Sequence, residues 1–92
     1  SLVHLGLKHY FLVDFPQEPG ALRRFLDTVL GADDDITLFE YVKRNNRETG
    51  EALVGVELGS ATDFDGLIER MKASDIHVET LEPGSPAYRY LL

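Results

Sequence analysis

Cysteine is absent from this 92-residue sequence, which excludes a disulfide framework, a thiol nucleophile and a zinc centre built on thiolates. A reducing, cytoplasmic setting is the simpler expectation. Basic residues are scarce: nine Lys and Arg stand against sixteen Asp and Glu, for a formal net charge of -7. A surface that neutralises phosphates needs a basic face, so no nucleic-acid partner is expected, and a membrane surface is disfavoured for the same reason. Long apolar runs are missing too. None approaches the roughly twenty residues that span a bilayer, and the N-terminus lacks a basic region followed by an apolar core. Serine is sparse, and there is no Gly-x-Ser-x-Gly elbow, no Walker loop and no Gly-x-Gly-x-x-Gly after a strand.

What is present suits one small domain, long enough to bury about sixty per cent of its unfolded surface without a staple. The chain opens on Ser1 and is expected to be a piece of a longer polypeptide. Residues 1–6 have no periodic pattern and are read as an arm or linker; residues 7–92 are read as a single domain. Leu7 to Phe15 alternates, with Phe11, Val13 and Phe15 on one face and Tyr10, Leu12 and Asp14 on the other, the pattern of a strand covered on both sides.

Phe15-Pro16-Gln17-Glu18-Pro19-Gly20-Ala21-Leu22 then breaks the strand. Two prolines force a sharp exit, and Pro19 suits a first helical position, where its missing N–H costs nothing. Gly20 leaves the N–H groups of that turn unshielded, so they and the positive end of the helix dipole can receive a carboxylate. The same letters also serve simply to start a helix.

Leu22, Phe25, Leu26, Val29 and Leu30 recur at helical spacing, and Gly31 is placed to stop the helix. Asp33, Asp34 and Asp35 lack the glycine and distal glutamate of a calcium loop and read as a solvated turn, with no metal site. Ile36 to Lys43 alternates again, with Ile36, Leu38 and Val42 on one face and Phe39 and Tyr41 on the other. A polar turn over 44–50 leads to a strand over Ala52 to Leu58, making a hairpin. Ser60 or Thr62 caps a second helix carrying Phe64, Leu67, Ile68 and Met71; Ile76 to Leu81 is a last strand, and residues 87–92 form an apolar tail expected to pack back on the domain. The three histidines, His4, His9 and His77, have no spacing diagnostic of a metal site.

The order βαββαβ predicts an α+β, ferredoxin-like, four-stranded antiparallel sheet with two helices on one face. Small hydrolases such as acylphosphatases share that fold, but the catalytic arginine in a phosphate-cradling loop is missing here. Binding is easier to argue. A free aliphatic amino acid needs donors for its carboxylate, acceptors for its ammonium and an apolar slot. Gly20 and Ala21 offer donors, Glu18 offers an acceptor, and Leu22, Phe39 and Tyr41 could line the slot.

Phe-Pro-x-x-Pro-Gly-Ala-Leu-x-x-Phe-Leu at Phe15 to Leu26, Ile-Thr-Leu-Phe-x-Tyr at Ile36 to Tyr41, Gly-x-x-Leu-Val-Gly at Gly50 to Gly55 and Pro-Ala-Tyr-Arg at Pro86 to Arg89 together resemble the C-terminal regulatory, ACT-like domain of biosynthetic threonine deaminases. Glu40 and Val42 stand where many members have histidine and arginine. The resemblance implies a non-catalytic module whose parent enzyme is a pyridoxal-phosphate lyase converting threonine to 2-oxobutanoate and ammonia, on the route to isoleucine. It implies isoleucine as feedback inhibitor and valine as antagonist, with Tyr41 as an effector-contacting residue and Gly20, Ala21 and Leu22 as the effector-side turn. No cofactor is expected in this fragment. The catalytic domain of the same chain and a second copy, through ACT-like pairing into a homo-oligomer, are the expected partners. An alternative is a domain that only assembles the oligomer, with the effector site at its junction with the catalytic domain.

Overall fold

The computed structural model describes residues 5–42 and 49–92. Strands β1 (Lys8–Pro16), β2 (Asp35–Val42), β3 (Thr49–Glu57) and β4 (His77–Leu81) form one sheet in the order β2-β3-β1-β4. All three pairings are antiparallel, so β1 and β2, both antiparallel to the β3 between them, run the same way and need the crossover helix α1 (Ala21–Val29). Helix α2 (Phe64–Ala73), entered through a short 3-10 turn over Ala61–Asp63, returns the chain from β3 to β4. This is the expected α+β, ferredoxin-like sandwich.

The core follows from two periods meeting. Phe11, Val13 and Phe15 alternate on β1, and Ala52, Val54 and Val56 alternate opposite them on β3. Phe25 and Val29 from α1 and Leu67 and Met71 from α2 close over that face. Each such side chain, fully buried, contributes about 1.5 to 3 kcal/mol through lost apolar hydration, so this layer holds the sheet and both helices together.

Four local expectations need correction. Helix α1 ends with Leu30 in extended conformation, one residue before Gly31, and the Gly31 N–H donates instead to Oδ2 of Asp34 at 2.7 Å. Asp34 therefore does not belong to a solvated turn. Its side chain is 2% exposed and also faces Arg70 at 3.9 Å, while Nε of Arg70 donates to the Val29 carbonyl at 2.7 Å. One acid and one base thus tie the end of α1 to α2. The third correction concerns β2, which carries a bulge described below. The fourth concerns the apolar tail, part of which is a third helix, α3 (Pro86–Leu91), capped by the Ser85 hydroxyl accepting from the Tyr88 N–H at 3.1 Å. Of its apolar residues only Ala87 and Tyr88 are partly covered, Tyr88 through an edge contact with Tyr10 on the sheet face away from α1 and α2.

His4 and residues 44–48 of the expected polar turn lie outside the described residues, and Thr49 and Gly50 already belong to β3. His9 is structural: Nε2 lies 3.0 Å from the Gly6 carbonyl and the ring stacks on Phe64.

Candidate functional site

The turn between β1 and α1 is set by two residue types. The Glu18 N–H donates to the Pro16 carbonyl at 2.8 Å and the Ala21 N–H to the Glu18 carbonyl at 3.2 Å, with Gly20 at φ 80° and ψ -3°. This is a type II turn, with proline second and glycine third. A left-handed residue cannot join a right-handed helix, so α1 starts at Ala21 and not at Pro19 as the sequence suggests. The first intrahelical bond runs from the Arg24 N–H to the Gly20 carbonyl at 2.9 Å, and no side chain caps this end. Leu22 and Arg23 occupy positions whose N–H groups have no intrahelical acceptor, at the positive end of the helix.

The facing wall comes from β2. Ile36 pairs with Val56 but Leu38 pairs with Gly55, so Thr37 is an extra residue, a β-bulge. Beyond it the alternation changes parity. Phe39 lies opposite Val54 and Tyr41 opposite Ala52, on the helix-covered face, and Ile36 joins them there instead of sharing a face with Leu38. Because α1 packs over β1, the rings of Phe39 and Tyr41, on an edge strand, stay 42% and 43% exposed, open to a ligand. The Tyr41 ring leans over Gly50, where a Cβ would meet Cε2 and the hydroxyl oxygen at 3.2 Å. Phe15 supports it at 5.5 Å between centroids, and its hydroxyl donates to Oε1 of Gln17 at 3.3 Å.

Between these walls lies a cleft of about 760 Å³, within the usual range of small-molecule sites. Glu18, Gly20, Leu22, Phe39 and Tyr41, all singled out from the sequence, line it together. Ala21 does not: its side chain is buried on the far side of the turn and its N–H is taken by Glu18. Leu26, Leu30, Phe15 and Ile36 extend the apolar floor, and Gln17, Arg23 and Asp27 join the rim. The stripe Leu22, Leu26, Leu30 could have been found as the second apolar edge of α1; Ile36 could not, because its position depends on the bulge. The arrangement offers an apolar trough with both signs of charge at its mouth. Glu18 also pairs with Arg24 at 3.8 Å, an exposed contact that leaves the carboxylate accessible.

Comparison with known proteins places this architecture. The family model for the C-terminal regulatory domain of threonine dehydratase matches residues 1–91. The chain belongs to that family. The regulatory domain is similar, at 88% identity over 92 residues, to part of the biosynthetic L-threonine dehydratase IlvA of Mycobacterium tuberculosis (strain ATCC 25618 / H37Rv), covering 100% of this chain and 21% of that protein. It is 67% identical over 91 residues to its counterpart in Corynebacterium glutamicum, covering 99% and 21%, and 50% identical over 92 residues to that of Bacillus subtilis (strain 168), covering 100% and 22%. The regulatory domain thus spans about a fifth of the length of the curated relatives it matches. Among solved structures, a formyltetrahydrofolate deformylase from Pseudomonas putida KT2440 is similar with a TM-score of 0.51 at 18% identity, over 85% of this chain and 29% of that one. That likeness concerns the fold alone.

Proposed function

We propose that the cleft between α1 and β2 is an effector site for isoleucine, that valine competes for it, and that its occupancy controls a catalytic domain in the same polypeptide. That domain would convert threonine to 2-oxobutanoate and ammonia, and the fragment itself would be non-catalytic. The observation that carries the reading is the meeting of an apolar trough, walled by Leu22, Leu26, Ile36 and Phe39, with a rim of Gln17, Glu18, Arg23 and the Tyr41 hydroxyl. A branched aliphatic side chain suits the trough. Its ammonium suits Glu18, and its carboxylate suits Arg23 with the first turn of α1. Discrimination between isoleucine and valine, one methylene apart, would amount to about 1 to 3 kcal/mol.

The pyridoxal phosphate of such a lyase belongs elsewhere in the polypeptide. Among the described residues no lysine lines the cleft, and those that do line it do not fit a cofactor held as a Schiff base. Residues 7–92 act as one regulatory unit in this reading, with 1–6 as its connecting arm, in a cytoplasmic enzyme whose regulatory domains pair between subunits. No helix of the described residues is long and apolar enough to cross a membrane.

Effector control requires unequal affinity for two arrangements of the enzyme. At a hundred times the dissociation constant, isoleucine would stabilise the binding form by about 2.7 kcal/mol. Calorimetric titration and melting of the full-length dehydratase and of this chain with isoleucine, valine and threonine test the reading. Heat and a raised melting point with isoleucine support it; no response to any of the three removes it. A second reading takes its support from the open faces of Phe39 and Tyr41 on an edge strand: the domain assembles the oligomer and the effector binds at the junction with the catalytic domain. Tyr41→Ala separates the two, because under the second reading feedback by isoleucine survives the substitution.

A further inference from the structure

The side of α1 that faces the cleft carries its charges in order along the helix. Arg23 lines the mouth, on the first turn with its free N–H groups, and Asp27 lines the cleft one turn further on, beside Leu26 and Leu30. Four helical residues rise about 6 Å, so a cation and an anion stand close together on one wall. At this spacing the two side chains can pair with each other, but here they do not. Among the described residues, no ion pair or hydrogen bond engages the Asp27 carboxylate, and the side chain is exposed. Glu18, the other acid of the rim, is already shared with Arg24 at 3.8 Å.

Such a wall matches a molecule that carries both signs of charge on neighbouring atoms. With the carboxylate of an α-amino acid at Arg23 and the first turn, the ammonium falls on the side of Asp27 and the side chain over Leu26, Ile36 and Phe39. The 2-oxo acid of the same skeleton keeps the carboxylate and the branched chain but replaces the ammonium with a carbonyl oxygen. A carbonyl oxygen and a carboxylate are both acceptors only, so Asp27 meets it lone pair against lone pair. Among the described residues, two acids and one arginine are the charged groups that line the cleft, a net negative rim that opposes an anion and tolerates a zwitterion.

We infer that Asp27 is the residue by which the cleft tells a branched-chain amino acid from its 2-oxo acid, accepting the ammonium together with Glu18. This rests on the effector reading given above and deepens it, since the domain answers to the aminated compound and ignores the unaminated one. The distinction has a use in that setting. The proposed reaction itself releases a 2-oxo acid, and a sensor open to such compounds would answer to its own enzyme's product.

Equilibrium binding of labelled isoleucine to the full-length dehydratase tests the inference, with unlabelled isoleucine or 3-methyl-2-oxopentanoate, the 2-oxo acid of the same skeleton, as competitor. In the parent protein the 2-oxo acid should bind at least about tenfold more weakly, the share of one charged hydrogen bond. Asp27→Asn keeps the size of the side chain and removes its charge. It should weaken isoleucine about tenfold and leave the 2-oxo acid as before or tighter, which closes the gap. An Asp27→Asn variant with the parent's affinity and preference overturns the inference while the effector reading stands. Equal binding of the two compounds by the parent does the same, and so does an equal loss of both in the variant, which would mark a merely structural aspartate. Absence of saturable isoleucine binding to the parent removes the effector reading and this inference with it.

Discussion

The Tyr41 hydroxyl, on β2, donates a hydrogen bond of 3.3 Å to Oε1 of Gln17, a residue 24 positions earlier in the turn that leaves β1. This contact fastens the outer wall of the cleft to its rim. Tyr41→Phe deletes the bond but keeps the ring over Gly50. An exposed hydrogen bond contributes little, so stability should change by less than about 1 kcal/mol. Effector affinity should fall about three- to tenfold, whereas Tyr41→Ala, which removes the wall, should weaken binding more than tenfold. Calorimetric titration with isoleucine, beside chemical denaturation of each variant, checks both numbers.

Gly50 offers a more indirect way to reach the same ring. In Gly50→Ala the new methyl would stand 3.2 Å from Cε2 and the oxygen of Tyr41 and 3.4 Å from Cγ of Gln17. The tyrosine is free to swing outward, so folding should survive with a cost of about 1 kcal/mol or less, a small overpacking penalty. Isoleucine affinity should drop although no residue of the cleft itself has changed. Unaltered affinity would mean that the ring position over β3 is immaterial to binding.

Gly20 is constrained mainly by backbone, since the one close neighbour a Cβ would meet is the flexible guanidinium of Arg24, at 3.0 Å. At φ 80° an L side chain incurs about 1 to 2 kcal/mol, so Gly20→Ala should lower the melting midpoint by roughly 4 to 8 °C per kcal/mol for a domain of this size. Gly20→Asn should lose less, because asparagine tolerates the left-handed region better. Thermal melts of the two variants side by side provide the comparison; equal losses would point to a steric cause.

The Asp34 carboxylate holds the Gly31 N–H at 2.7 Å and lies 3.9 Å from Arg70. Asp34→Ala strips a part-buried N–H of its acceptor and removes the guanidinium's partner, and should cost about 1 to 3 kcal/mol. Asp34→Asn, still able to accept from Gly31, should retain most of that stability. Urea denaturation distinguishes them, and an alanine variant as stable as the parent would show that the link between the two helices is dispensable.

Phe25, buried to 5% exposure between α1 and the sheet, is the test of the core. Phe25→Ala should cost about 3 to 5 kcal/mol, a large part of the roughly 5 to 15 kcal/mol such a domain has, and far-UV circular dichroism on heating should show the midpoint collapse.

Much of this was legible beforehand, for identifiable reasons. The faces of β1 and the buried stripe Phe25 and Val29 follow from periods of two and 3.6, and nothing in the tertiary structure overrides them. The Glu18 to Leu22 turn and the pair Phe39 and Tyr41 were legible as chemistry, and the fold brings all but Ala21 of those residues to one cleft. The misses have physical causes. Pro19 reads as a helix start, but the proline and glycine together satisfy a turn first. Asp34 reads as solvated because three acids in a row look alike, and its partners, the Gly31 N–H and Arg70, 36 positions on, distinguish the middle one. Ile36 was placed on the wrong side because period-two reasoning assumes that no residue is skipped.

Thr37 makes that skip, and its bearing extends past register. A shortened variant lacking this threonine would pair without interruption, Ile36, Leu38 and Phe39 meeting Val56, Gly55 and Val54 in turn. Phe39 and Tyr41 would keep the face of their partners Val54 and Ala52, and what the edge strand would lose is the bend and added twist that a bulge imposes. A three-nucleotide deletion there would thus reshape the outer bank of the groove without unseating either ring, detuning the fit while the lining stays in place.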